Sequence, residues 1–117
     1  MPPLPAAPVD LGHLSRYTGG SRELNSEVLQ LFLDQSAELM LQLQAVLDAQ
    51  DGKMWRHITH SLKGASRGIG AFALADAAAE AEPLDLAAQR AQAIEVLFAL
   101  RGRAEAVHQF IRAYLGE

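Results

Sequence analysis

HITHSLKGASRGIGA, running from His57 to Ala71, reads as the last turns of a helix followed by a tight turn. Laid out at about 100° per residue, Trp55, Ile58, Leu62, Ala65 and Ile69 gather on one side. His60 points to the opposite side, together with Lys53, Arg56, His57, Lys63, Gly64 and Arg67. The apolar stripe is sufficient reason for the helix to dock on a core. It gives no reason for His60. Gly64 weakens a helix by about 1 kcal/mol relative to alanine. One turn beyond His60, it leaves the imidazole uncovered on one side, as a site approached by another protein requires.

The chain has 117 residues, half of them hydrophobic, and reads as one domain. Aromatics are few and alanines many, which suits tightly packed helices. With no cysteine, disulfides and thiolate metal sites are excluded. No apolar run reaches the roughly 18 residues of a membrane span. The opening MPPLPAAPVD has neither the positive nor the hydrophobic region of a secretory signal, so a cytoplasmic protein is expected. A net charge of −4 argues against a nucleic-acid binder.

Residues 1–8 are proline-rich and read as an extended, flexible leader to a domain over 9–117. Asp10 is placed to cap a short helix through Tyr17, with Leu11 and Leu14 inward and Gly19-Gly20 ending it. Ser21 then caps a long helix. Its apolar residues Leu24, Val28, Leu31, Phe32, Leu39, Leu43, Val46 and Leu47 recur at threes and fours, with a solvated acidic face between them. Asp51-Gly52 breaks the chain, and the helix bearing His60 starts near Lys53. An alanine-rich helix follows from Phe72 to Glu82, stopped by Pro83. A last helix is expected from about Asp85 to Leu115, with Ile94, Leu97, Phe98, Val107, Phe110, Ile111, Tyr114 and Leu115 in helical period and a bend or break at Gly102. No stretch alternates with period two. Short links between long helices predict an all-α, up-down-up-down antiparallel four-helix bundle with a short extra N-terminal helix.

The run His60-Ser61-Leu62-Lys63-Gly64-Ala65-Ser66, then Gly70-Ala71, resembles the His-x-Leu-Lys-Gly-x-[Ser/Ala]…Gly signature of histidine-containing phosphotransfer (HPt) domains. The helical pattern from Val9 to the C-terminus is similar to the family's bundle. One position departs: Thr59 stands where the family has a small residue, and is expected at the flank of the helix. The resemblance implies that His60 takes a phosphoryl group from a kinase or a receiver-domain phosphoaspartate and passes it to another receiver aspartate. The implied partners are response-regulator receiver domains and a hybrid histidine kinase. Magnesium would come from the receiver, so the chain needs no cofactor or metal of its own, and it is a carrier more than an enzyme.

The chemistry agrees with the residues. Imidazole attacks phosphorus when neutral, and an unperturbed histidine titrates near ~6.5. One ring nitrogen must face outward while a partner holds the other. Glu82 is the candidate orienter. In a hairpin about the Gly68–Gly70 turn, His60 and Glu82 lie ~12 and ~18 Å from the turn at ~1.5 Å per residue, about one helical turn apart. A Glu or Gln at this spacing is frequent in HPt domains. Glu80 is the fallback. Lys63, one turn past His60, is placed to reach a phosphoryl oxygen. Arg56, His57, Lys63, Gly64 and Arg67 form the face expected to bind an acidic partner.

Other readings fit less well. A metal site from His57 and His60 lacks further ligands. The His-Glu-[Leu/Ile]-[Arg/Lys]-x-Pro pattern of kinase dimerisation domains is absent, because Ser61 and Ser66 stand at its Glu and Pro positions, and no glycine-rich nucleotide-binding stretch exists. His13 and His108 read as ordinary surface or boundary residues. The sequence therefore reads as a monomeric phosphorelay carrier. The alternative is a helical bundle that docks receivers without carrying phosphate.

Overall fold

The computed structural model describes residues 7–116. The proposed leader lies largely outside them. Five helices are present among the described residues: α1 (Leu11–Thr18), α2 (Arg22–Asp48), α3 (Gly52–Ile69), α4 (Phe72–Ala81) and α5 (Arg90–Leu115). No strand occurs among these residues.

Local chemistry explains most of the boundaries. Asp10, Ser21 and Asp51 each accept a hydrogen bond from the backbone N–H three residues on, which caps α1, α2 and α3. Gly70 ends α3 with φ at +83°, a conformation that disfavours any residue with a Cβ. The Asp10 N–H donates to Gly70 O at 2.9 Å, so the chain entering α1 is tied to the α3–α4 turn. A Cβ on Gly70 would lie 2.6 Å from Asp10 O.

Helix α3 packs on α2 and α4, and α5 packs on the same two. The four bundle helices therefore run in the cyclic order α2, α3, α4, α5, each antiparallel to the next. Helix α1 closes one end against α2 and α3. Leu29, Leu43, Trp55, Ile58, Leu62, Leu74, Leu97, Leu100 and Ile111 fill the centre with almost no exposure. Four buried alanines of α4, Ala75, Ala77, Ala78 and Ala81, let that short helix sit close to its neighbours.

The structure corrects several expectations. In α2 the buried residues are Asn25, Leu29, Phe32, Leu33, Ser36, Leu43 and Leu47, whereas Leu24, Val28 and Leu31 are exposed. The helix carries two apolar stripes, and the positions of α3 and α5 select one of them. In α5, Ala93, Leu97, Leu100, Ala104, Val107, His108 and Ile111 face inward, while Ile94 and Phe98 are exposed. That helix starts at Arg90, not Asp85. The Asp85 carboxylate accepts from Ala87 N and Ala88 N, and its N–H donates to the Gln89 side chain. This closed turn competes with helix, and buried Leu84 and Leu86 hold it down. Gly102 lies within an unbroken α5. Thr59 is fully buried, and its hydroxyl donates to Trp55 O at 2.8 Å. His108 is buried as well, with Nε2 2.7 Å from Ser36 Oγ. Burial, then the nearby Arg112, lowers the pKa of this imidazole.

Candidate functional site

Helix α3 presents His60 to solvent near its middle. The side chain retains 68% exposure, yet one ring nitrogen is engaged. His60 Nδ1 lies 2.8 Å from Glu82 Oε1. The other carboxylate oxygen, Oε2, accepts from Lys63 Nζ at 2.5 Å. One carboxylate thus spans two side chains that stand a single turn apart on the neighbouring helix.

Glu82 occupies the C-cap of α4, where Pro83 prevents the helix from continuing. Its N–H still bonds Ala78 O at 3.0 Å, so the residue is held in helical geometry and its side chain leans across to α3. Bonds from Lys63, and then from His60, hold the carboxyl below its ordinary value of 4.5. It is therefore ionised at neutral pH. An ionised carboxylate only accepts hydrogen bonds, so a neutral His60 donates through Nδ1–H and carries its lone pair on Nε2.

The wall around the ring is open. A Cβ added at Gly64 would meet nothing within 4 Å. Arg56, His57 and Arg67 stand exposed on α3, within about 60° of His60 around the helix axis. Together with Lys53 they make a basic face on a chain of net charge −4. Lys63 is more enclosed, at 21% exposure, because it lies against Glu82. Glu80 is exposed on α4, and the carboxylate hydrogen-bonded to His60 is that of Glu82. No group of three or more His, Asp or Glu side chains among the described residues is arranged to hold a metal.

Two features of the surroundings escaped the sequence reading. A groove of about 550 Å³ between α2 and α3 begins at Ser61, next to His60. Leu62 and Ala65 floor it, and Phe32, Gln35 and Leu39 of α2 wall it. The periodicity of α2 contained Phe32 and Leu39 but not their placement beside the histidine. Ser36, which also lines the groove, pairs with His108, and nothing near His108 in sequence announces it.

A family model described as Hpt domain matches residues 27–111. The fold superposes on the crystal structure of histidine-containing phosphotransfer protein B (HptB) from Pseudomonas aeruginosa PAO1 with a TM-score of 0.85. That match covers 96% of this chain and 97% of the other at 24% sequence identity, a likeness that shows the fold. No match is found among curated protein sequences.

Proposed function

Because the chain belongs to the Hpt domain family, and its function is histidine phosphotransfer in a phosphorelay, we propose that His60 is the phosphoacceptor and Nε2 its reacting atom. The observation that carries this reading is the division of the ring. Glu82 occupies Nδ1 at 2.8 Å while 68% of the side chain stays open to an approaching protein.

In the forward step the Nε2 lone pair attacks the phosphorus of a partner's phosphoaspartate. The N–P bond forms, the aspartyl O–P bond breaks, and the aspartate leaves as a carboxylate. No proton needs to move, because Nδ1–H stays in place. The ring becomes cationic, and the ionised Glu82 against Nδ1 offsets that charge, as an oriented acid does for other histidines. Lys63 is within one turn and is free to swing from Glu82 Oε2 toward a phosphoryl oxygen. The return step reverses these changes onto a second aspartate. A kinase donor delivers the phosphoryl group to the same lone pair.

The basic face of Arg56, His57, Lys63 and Arg67 supports an acidic partner, as receiver domains are around their aspartate. The α2–α3 groove adds apolar area beside it. We assign the magnesium ion to the receiver's aspartate site, so this chain acts as carrier and its partner supplies most of the catalysis. No helix among the described residues is long and apolar enough to cross a membrane. We read the protein as a cytoplasmic monomer that meets a hybrid kinase and receivers in turn.

The decisive experiment needs no partner. Phosphoramidate at neutral pH, followed by mass-spectrometric mapping under alkaline handling, should label His60 fast and selectively. His57 serves as an exposed control, His13 as a half-buried one and His108 as a buried one. Labelling that spreads evenly over the accessible histidines, or spares His60, would overturn the assignment.

A further inference from the structure

Glu82 can orient His60 only if the end of α4 is itself held still. The chain's single tryptophan meets that requirement. Trp55 lies on the inner side of α3 with no exposure, and its indole N–H donates to Ala81 O at 2.8 Å. Pro83 stops α4, so Ala81 O has lost the partner that a continuing helix would give it. Leu84 N reaches the same oxygen at 3.2 Å, a tighter turn with a longer bond.

The oxygen of Ala81 belongs to the planar peptide unit that ends at Glu82. That unit is gripped on both edges. Trp55 and Leu84 hold its carbonyl, and its N–H bonds Ala78 O at 3.0 Å. The direction in which the Glu82 side chain leaves the backbone follows from this clamp. Trp55 and His60 are five residues apart on one rigid helix. The same element that presents the imidazole therefore grips the backbone of its carboxylate partner.

We propose that Trp55 is a positioning residue for the phosphoacceptor: through Ala81 it keeps Glu82 in register with His60 Nδ1 and so decides which imidazole nitrogen is free. This rests on the reading of Glu82 as the residue that orients His60. Packing alone does not require the indole nitrogen, since a phenylalanine fills an apolar site without a donor. The N–H is used on one acceptor, and the carbon of that carbonyl is bonded directly to Glu82, the residue that touches the histidine.

The test reads the tautomer of His60 directly, in the unphosphorylated full-length chain, by long-range proton–nitrogen correlation spectra of the imidazoles at mildly alkaline pH. In the wild type, Nδ1 should appear in the protonated position and Nε2 in the lone-pair position. Glu82→Ala should move the ring toward the Nε2–H form that free histidine side chains prefer. Trp55→Phe should move it in the same direction by at least half as much, with His13, His57 and His108 unchanged. Adding Trp55→Phe to Glu82→Ala should shift it no further. Ala81 O keeps its bond from Leu84 in this variant, so the fold has reason to survive. Should phenylalanine prove too disruptive, benzothienylalanine at the same position keeps the ring shape and replaces only the N–H by sulfur.

A His60 spectrum unchanged by either replacement, while Glu82→Ala shifts it, would reduce Trp55 to packing and overturn the proposal. A spectrum unmoved by Glu82→Ala would overturn it together with the orienting role of Glu82. Neither result would touch the phosphoacceptor assignment, which stands or falls on selective phosphoramidate labelling of His60.

Discussion

At the scale of single residues, the site is a carboxylate shared between an imidazole and an ammonium. Glu82 meets the ring with one oxygen and Lys63 with the other. Replacing the histidine separates chemistry from fold: His60→Gln should abolish phosphotransfer with the helical circular-dichroism spectrum unchanged. Transfer that survives would overturn the assignment of the phosphoacceptor to His60. Gly64 tests access. Its Cβ position is open, so Gly64→Gln should keep the fold and raise helix stability by a few tenths to about 1 kcal/mol. Transfer from a receiver should nonetheless slow, on the order of tenfold or more, because a displaced partner loses the reacting geometry. Stopped-flow transfer rates alongside thermal melts would show the two moving in opposite directions. An unaltered rate sinks the access argument.

At the scale of elements, local chemistry governs where helices start and stop. The caps Asp10 and Ser21 could be read directly, since each acts only on the backbone three residues on; Asp51 read only as a chain break and proves to cap α3 in the same way. The start of α5 could not. Asp85 is as good a helix cap in sequence as those three, but its carboxylate closes a turn with Ala87 and Ala88 instead, and Leu84 and Leu86 bury that turn. Gly70 joins elements that are far apart in sequence. Gly70→Ala should cost roughly 1–3 kcal/mol from its left-handed conformation alone, and more because Asp10 O stands 2.6 Å from the new Cβ. Denaturant titration should show the loss, and hydrogen exchange should show α1 released first. Normal protection of α1 in this variant would mean that the Asp10–Gly70 tie does not hold the helix.

At the scale of the whole molecule, the bundle decides which side chains are inside. His108 is the clearest case. It sits in the core with Nε2 2.7 Å from Ser36 Oγ, and Ser36 in turn donates to Phe32 O at 2.7 Å. Burial lowers its pKa from the ordinary 6.5, ahead of the repulsion from Arg112, while Glu105 acts the other way. Between the lowered folded value and 6.5, the unfolded chain binds more protons than the folded one. Stability should therefore be full above 6.5 and fall as pH drops through that window. His108→Gln, which keeps a donor for Ser36, should flatten this part of the pH profile. Denaturation midpoints measured across the window check it, and an identical slope in the variant would place the titration elsewhere.

Sequence by itself determined the helical class, the single bundle, the capped starts of the first two helices, the glycine turns and the candidate histidine with Lys63 and Gly64. Each of these depends on residues within a turn or two of one another, or on a period that one helix carries along its length. Counting along the hairpin also brought Glu82 to within about a turn of His60. Only the tertiary structure decided that its two oxygens divide between His60 and Lys63. It also decided that Leu29 and Leu33 rather than Leu24, Val28 and Leu31 are buried, that Phe98 is outside and His108 inside, and that Trp55 reaches the carbonyl before Glu82. An amphipathic helix with two apolar stripes is satisfied by either burial until its neighbours arrive. A contact between residues on different helices is set by how those helices settle against each other, which no local pattern records.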